Sequence, residues 1–381
     1  MNGQRFTIER SGMSQSTDPL LVTTILLLSG LGLVTLFSAS SAFAERFFGD
    51  SLYFIKRQAV FACIGFVLFI FASRVNLSLI RRFIKPLVLG TIVLCLLTFI
   101  PGIGVVKNGA ARWIRLGSST YQPSEMVKLV LPLYLAHIFD KKDERLSGFS
   151  NGILPPILMT LLFFILIYLQ NNFSTAAFIG MNAVLIFFLA GVKYRYFIAA
   201  AFISLPIAAL LVLTREHRLR RVMAFLKPEW DPLGAGYQVR SSILTIASGG
   251  LWGKGIGQGT RKIASVPEIH SDFVFSAYAE EAGLAGVVIF FALLALLCLR
   301  GYRAALAAPD TFRRLLACGL VTMFVTQALL NVGVVVGALP ATGVPLPFFS
   351  AGGSSLATML FAAGLIVNIS RTAKRSEDSD V

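Results

Sequence analysis

A chain of 381 residues that is 56% hydrophobic and only 14% charged is not a soluble globular protein, which would carry about 25% charge. Its net charge of +15 does not point to nucleic acid, because the basic residues are scattered over many short loops, as in a membrane protein, rather than gathered in one polar domain. The four cysteines, Cys63, Cys95, Cys298 and Cys318, fall in apolar runs without metal spacing and read as small buried apolar residues.

Residues 1–18 read as a cytoplasmic tail. The next run contains Ser41-Ala42-Phe43-Ala44, which looks like a signal cleavage site. The apolar stretch before it exceeds a signal's hydrophobic region, so it reads as an uncleaved first membrane helix. Ten runs are long enough to cross a bilayer, near 20–43, 55–73, 84–100, 123–139, 152–170, 173–190, 195–213, 273–299, 315–338 and 350–369. Lipid offers the backbone no partner, so each must be helical. The expected fold is an all-α polytopic membrane protein of about ten transmembrane helices over 19–370, with a second cytoplasmic tail at 371–381. With the N-terminus in the cytoplasm, the inner segments hold 18 Lys and Arg and the short outer loops hold six, which places both termini inside. A large extracytoplasmic loop, 215–272, lies between the seventh and eighth spans and carries nine basic side chains. Long loops cross regardless of charge. An outward basic loop suits an anionic ligand at the membrane surface as well as it suits lipid headgroups.

Polar islands interrupt this pattern. Before the fourth span come Lys107-Asn-Gly-Ala-Ala-Arg112-Trp113 and Gln122-Pro-Ser-Glu125. Pro123 suits the first turn of a helix. Glu125 and Lys128 share a helical face and can pair, as a structural pair or as part of a polar cavity. Gly249, Gly250, Gly253, Gly255, Gly257 and Gly259 form neither a dinucleotide fingerprint nor a phosphate loop. They let the backbone turn tightly or approach a ligand. Trp113, Trp230 and Trp252 all fall in outer loops, as an interfacial aromatic belt requires; sugar stacking is the functional alternative. At Pro267-Glu-Ile-His-Ser-Asp272-Phe-Val-Phe, a carboxylate sits where a polar loop meets an apolar helix. That setting is costly unless the charge has a role, although Ser271 or Asp272 would also cap the helix. His270 is placed either to orient Asp272 or to face water. Leu339 to Ser355 holds three prolines, three glycines and no charge. It cannot be a regular helix, and at membrane depth it belongs in a cavity wall.

Taken in order, six segments resemble the shape, elongation, division and sporulation (SEDS) family over nearly the whole chain. They are Asn108-Gly-Ala-Ala-Arg-Trp-Ile, Gln122-Pro-Ser-Glu with Lys128, Asp231-Pro-Leu-Gly-Ala-Gly-Tyr-Gln, Gly249-Gly250 with Gly253, Pro267 to Phe275 with Glu280-Glu281-Ala-Gly, and Pro345-Leu-Pro-Phe-Phe-Ser-Ala-Gly-Gly-Ser-Ser-Leu. The ending Gly364-Leu-Ile-Val-Asn-Ile-Ser-Arg is closer to the division branch, FtsW, than to RodA. The resemblance implies an inner-membrane peptidoglycan glycosyltransferase that polymerises lipid II at the outer face of the bacterial membrane, at the division septum. It implies as partners a class b penicillin-binding protein, FtsI-like, and other division proteins. It implies Asp272 as the essential acid.

Two needs follow from such a reaction. Asp272 would take the proton of the attacking sugar hydroxyl. Arg112, Lys128, Arg240 and Lys262 would supply positive charge to the departing pyrophosphate, with Glu125, His270 and Glu280 also facing substrate. Mg²⁺ or Mn²⁺ could share the charge; no organic cofactor is expected. Many members have Gln-Pro-Asp where this chain has Gln170-Asn171-Asn172, and Asn172 cannot act as a base. The alternatives are an elongation polymerase of the RodA type and a lipid II transporter, which many spans and Pro/Gly-broken segments also fit. Against a transporter, no convincing repeat relates the two halves, and the polar groups crowd the outer side.

Overall fold

The computed structural model describes residues 17–107, 109–117, 119–141, 148–227, 234–259 and 271–377. Helix α1 (Pro19–Phe48) starts where the Asp18 carboxylate accepts the N–H groups of Leu20 and Leu21 at 3.1 and 3.3 Å, with Pro19 in the first helical position. It stops at Gly49, whose φ of 67° leaves the helix. Helices α2 (Tyr53–Arg74), α3 (Leu77–Arg82) and α4 (Ile84–Leu97) follow. A small antiparallel sheet then forms from β1 (Gly104–Lys107), β2 (Ala110–Leu116) and β3 (Ser119–Tyr121). Helix α5 (Pro123–Lys141) comes next, and a π-helical turn, Phe149–Ile153, leads into α6 (Leu154–Leu169). Helices α7 (Phe173–Leu189) and α8 (Tyr194–Leu213) precede two helices inside the expected outer loop, α9 (Glu216–Leu226) and α10 (Ala235–Ser248). The chain closes with α11 (Val274–Leu306), α12 (Thr311–Val335) and α13 (Gly353–Glu377).

Among the described residues, seven helical stretches are long and apolar enough to span a bilayer: α1, α2, the π-turn with α6, α8, α11, α12 and α13. The shorter apolar helices α4 and α7 and the charge-bearing α5 complete the ten expected spans. The protein is an all-α polytopic membrane protein. Helix α4 stops at Leu97 instead of reaching residue 100; its 14 residues cover about 21 Å, less than a bilayer core.

Helix α12 is the core element, packed against α5, α7, α11 and α13. Helix α2 lies along α13 through small residues, as lipid-embedded interfaces require. A Cβ on Gly364 would sit 2.5 Å from the Phe69 carbonyl, and the Asn368 amide donates to the carbonyls of Ala72 and Val75 at 2.8 and 2.7 Å. Helix α8 is peripheral, with no buried residue. Cys95 and Cys318 are buried as expected, but Cys298 is only partly covered and Cys63 is exposed. An apolar run in a membrane protein faces lipid as readily as core.

At the end of the bundle where α1 begins, charges tie helices together. Arg300 donates to Asp18 at 2.6 and 2.7 Å, and Asp140 pairs with Arg81 while accepting the Phe312 N–H at 3.1 Å. The opposite end holds the sheet, the broken segment before α13 and the first residues of α5, α7 and α11.

Candidate active site

A cavity of about 900 Å³ opens at that opposite end. It joins a smaller one of about 340 Å³ across a wall shared by Arg221, Gln238, Asp272 and Gly343. The expected irregular segment forms one side through Pro340 to Gly343 and Pro345, with Phe349 behind it fully buried. Irregular backbone at membrane depth thus lines a cavity and is buried in protein. The sheet contributes Arg112, Trp113 and Thr120, the α6–α7 turn contributes Asn171 and Asn172, and α9 contributes Arg218 and Arg221.

Asp272 is half-buried and lines both cavities. The N-cap position of α11 belongs to Phe273, which makes no side-chain cap. The Asp272 carbonyl accepts from the Asn331 amide at 2.9 Å, and the same amide donates to the Val344 carbonyl at 2.9 Å. One side chain of α12 therefore fixes Asp272 to the irregular wall. Gly343, with φ at 71°, passes so close that a Cβ there would lie 3.2 Å from an Asp272 carboxylate oxygen.

Arg57, Arg112, Arg218 and Arg221 line the cavity, and protein oxygens without formal charge hold the last three. Arg221 donates to the carbonyls of Ala341 and Thr342 at 3.3 and 3.4 Å. Arg218 donates to the Tyr168 hydroxyl at 3.1 Å and the Leu211 carbonyl at 2.9 Å, and packs over the rings of Tyr168 and Phe173. Arg112 donates to the Asn171 carbonyl, while its buried Nε has no hydrogen-bond partner among the described residues. Burial pushes the Arg112 pKa down, the Arg221 charge pushes it further, and Asp272 offsets part of this. Burial lowers Arg221 too, against the pull of Asp272. Guanidinium groups stay charged under such shifts. The wall therefore holds positive charge at a cost, as a site built for an anion does.

Beneath the wall, Glu125 and Lys128 pair at 2.8 Å and are both buried. Glu125 faces the cavity. Lys128 lies behind it and donates to the Gln327 side-chain oxygen at 3.4 Å, and the Gln327 amide reaches the Pro345 carbonyl at 2.8 Å.

A model of the FtsW, RodA and SpoVE proteins, described as cell cycle proteins, matches residues 18–375. The chain belongs to this family. It is 40% identical, over 94% of its length and 95% of the relative's, to a protein of Geobacter metallireducens named "Probable peptidoglycan glycosyltransferase FtsW". It is 37% identical to the stage V sporulation protein E of Bacillus subtilis, over 94% and 98%. A chain of a solved peptidoglycan synthase complex matches with a TM-score of 0.78 at 29% identity, over 94% of this chain and 98% of that one. The rod shape determining protein RodA of Thermus thermophilus matches with a TM-score of 0.68 at 28% identity, over 93% and 97%.

Of the residues that the likeness to this family singled out, Arg112, Glu125 and Asp272 meet on one cavity, with Lys128 directly behind Glu125. Arg240 is exposed on α10 and does not line either cavity. Glu280 lines neither cavity. It is fully buried, pairs with Lys254 at 2.7 Å and accepts from the Ser248 hydroxyl at 3.2 Å. Lys262, His270 and Trp230 lie outside the described residues. Trp113 lines the cavity, whereas Trp252 is 85% exposed, as an interfacial anchor would be. Asn172 lines the cavity. Sequence reasoning missed Arg218, Arg221 and Asn331. The first two stand three apart on an amphipathic helix, a periodicity readable in Glu216–Leu226; nothing in the sequence marks Asn331.

Among the described residues no three His, Cys, Asp or Glu side chains gather as a metal cage. Glu125 and Asp272 are the acids of the cavity wall, so a Mg²⁺ or Mn²⁺ ion would need substrate phosphate oxygens for most of its ligands.

Proposed function

We propose that the protein is a peptidoglycan glycosyltransferase that polymerises lipid II at the outer face of the cytoplasmic membrane, in division wall synthesis. The observation that carries this reading is the meeting of Asp272 with Arg112, Arg218 and Arg221 on one cavity at the end of a membrane bundle. The reaction joins the 4-hydroxyl of one lipid-linked disaccharide to the anomeric carbon at another chain's reducing end, and undecaprenyl pyrophosphate leaves. Asp272 accepts the hydroxyl proton, a role worth about 10²–10⁴-fold in rate. The arginines hold the diphosphate as charge builds on it, and their neutral partners leave that charge available. A hard divalent ion bound through the diphosphate would neutralise further charge there.

The excess of Lys and Arg on the other side supports two cytoplasmic termini and an outward-facing cavity. Closer identity to proteins named FtsW than to a solved RodA supports the division branch. Likeness to a chain of a peptidoglycan synthase complex supports a class b penicillin-binding transpeptidase as partner.

The test is purified protein in detergent or liposomes with labelled lipid II. Glycan polymer is expected, and its loss in Asp272→Asn. Lipid II moved across the bilayer without polymer would overturn the reading in favour of a transporter.

A further inference from the structure

Helix α11 is not one rod. Gly283 adopts φ 65° and ψ −166°, which no helical residue does. The break separates a short segment, Val274–Ala282, from the long apolar remainder, and Asp272 sits at the head of the short segment. A broken helix strands carbonyls before the break and N–H groups after it. Here the glycine-rich loop that follows α10 takes up both. Lys254 and Gly255 donate their N–H groups to the carbonyls of Glu280 and Glu281 at 3.0 Å, while Leu284 and Ala285 donate to the carbonyls of Gly250 and Leu251 at 3.0 and 3.1 Å. The backbones approach too closely for side chains. A Cβ on Gly253 would lie 2.1 Å from the Glu281 carbonyl oxygen, and one on Gly283 would lie 2.2 Å from the Gly253 nitrogen. Gly253 thus serves a backbone splice, and Gly249 lies as close, with a Cβ there 2.3 Å from the Ala279 carbonyl oxygen.

Side chains fasten the same joint. Lys254 reaches the buried Glu280 carboxylate at 2.7 Å, and the Ser38 hydroxyl of α1 donates to Glu281 at 2.5 Å. The short segment is therefore held at its foot by Glu280 and Glu281 and at its head by Asn331, with a flexible residue beneath.

We propose that Glu280 and Lys254 are positioning residues for Asp272. Their ion pair sets the tilt of Val274–Ala282 and so places the Asp272 carboxylate opposite Arg112 and Arg221. The proposal rests on the reading of Asp272 as the catalytic base. Asp272 stands eight residues from Glu280, about 12 Å along a helix, so a tilt of roughly 5° moves it by about 1 Å. Misplacement on that scale costs about 10²-fold in rate.

The test uses Glu280→Gln, which keeps the side chain's shape and removes its charge, and Lys254→Arg, which keeps the pair. Polymerisation by Glu280→Gln should show kcat lowered on the order of ten- to a hundred-fold with the KM for lipid II nearly unchanged, and Lys254→Arg should retain most activity. A second readout needs no activity. Spin labels at Ser271 and at exposed Phe47, with the four cysteines replaced, report the distance from the head of the segment to α1, and Glu280→Gln should shift or broaden that distribution. Full kcat in Glu280→Gln, or an unchanged distance distribution, would overturn the proposal. If the unaltered protein makes no polymer, the function reading fails while the distances still decide whether the pair sets the position. Should Glu280→Gln not fold, Lys254→Gln, at a partly exposed residue, is read in the same way.

Discussion

Two charged regions share the cavity, and they solve the problem of charge near lipid in opposite ways. The Glu125–Lys128 pair closes on itself: two opposite charges at 2.8 Å, both buried, with Gln327 behind. The region around Asp272 stays open. Arg112, Arg218 and Arg221 rest on carbonyls and a hydroxyl, and a buried Arg112 nitrogen has no partner among the described residues. A closed pair contributes to fold and to the shape of the floor. Positive charge held by neutral groups is available to an anion. The likeness to the family does not separate the two, because it singles out members of both.

Replacing Asp272 by Asn breaks the comparison most sharply. Asn has the same size and leaves the Asn331 contact to the backbone carbonyl intact, but it cannot accept a proton at neutral pH. Polymer formation should fall by about two orders of magnitude or more, with thermal stability and co-purification with the transpeptidase retained. Near-normal polymer yield from purified protein would remove Asp272 as the base.

Opening the closed pair should act on stability instead. Lys128→Ala leaves the Glu125 carboxylate uncompensated in a buried place, at a cost of roughly 3–5 kcal/mol, seen as a lower midpoint of thermal unfolding and poor expression. Combining it with Glu125→Ala should recover part of that loss, because the stranded charge goes. Strictly additive losses in the double-mutant cycle would mean that the two do not support each other.

The spans were legible because lipid forces long apolar helices, and Asp272 was legible because a carboxylate at a loop–helix junction is expensive. The wall before α13 was legible because three prolines and three glycines without charge leave it no regular form. Arg218 and Arg221 were hidden among nine basic residues of one loop, where only helical spacing sets them apart. The sheet at 104–121 escaped because two of its three strands have only four and three residues. The partner of Glu280 was hidden for a physical reason. An acid on a membrane helix reads as functional when no partner is visible, and Lys254 lies 26 residues earlier in the chain. Asn171 shows the same limit: its φ of 58° and its bond to the Gly109 carbonyl at 2.8 Å are set by the turn, not by its neighbours in sequence.

Within the open region, position should grade the arginines. Arg221 lines both cavities beside Asp272. A hydrogen bond to a charged group is worth about 1.5–3 kcal/mol, so Arg221→Ala should lower kcat/KM for lipid II by roughly ten- to a hundred-fold. Moderate salt should not reproduce this, since a buried guanidinium is screened less than one at the surface. Loss of the effect at 0.3 M salt would place Arg221 in solvent rather than in a site.

The smallest effect is expected at Arg240, and it tests whether the basic loop acts through its total charge or through particular positions. Arg240 belongs to the same loop and carries the same charge as Arg221, but it is exposed on α10 and lines neither cavity. Exposed substitutions away from special features usually change energies by less than about 0.5 kcal/mol. Arg240→Ala should therefore alter kcat/KM by no more than about two-fold, and moderate salt should erase what change there is. If Arg240→Ala instead matched Arg221→Ala, the loop would work as a diffuse positive field over the membrane surface, and the contrast between held and free charge would lose its meaning for binding. A wide gap between the two variants, measured in one assay at one ionic strength, would place the anion in the cavity and make the rest of the loop's charge a matter of lipid headgroups.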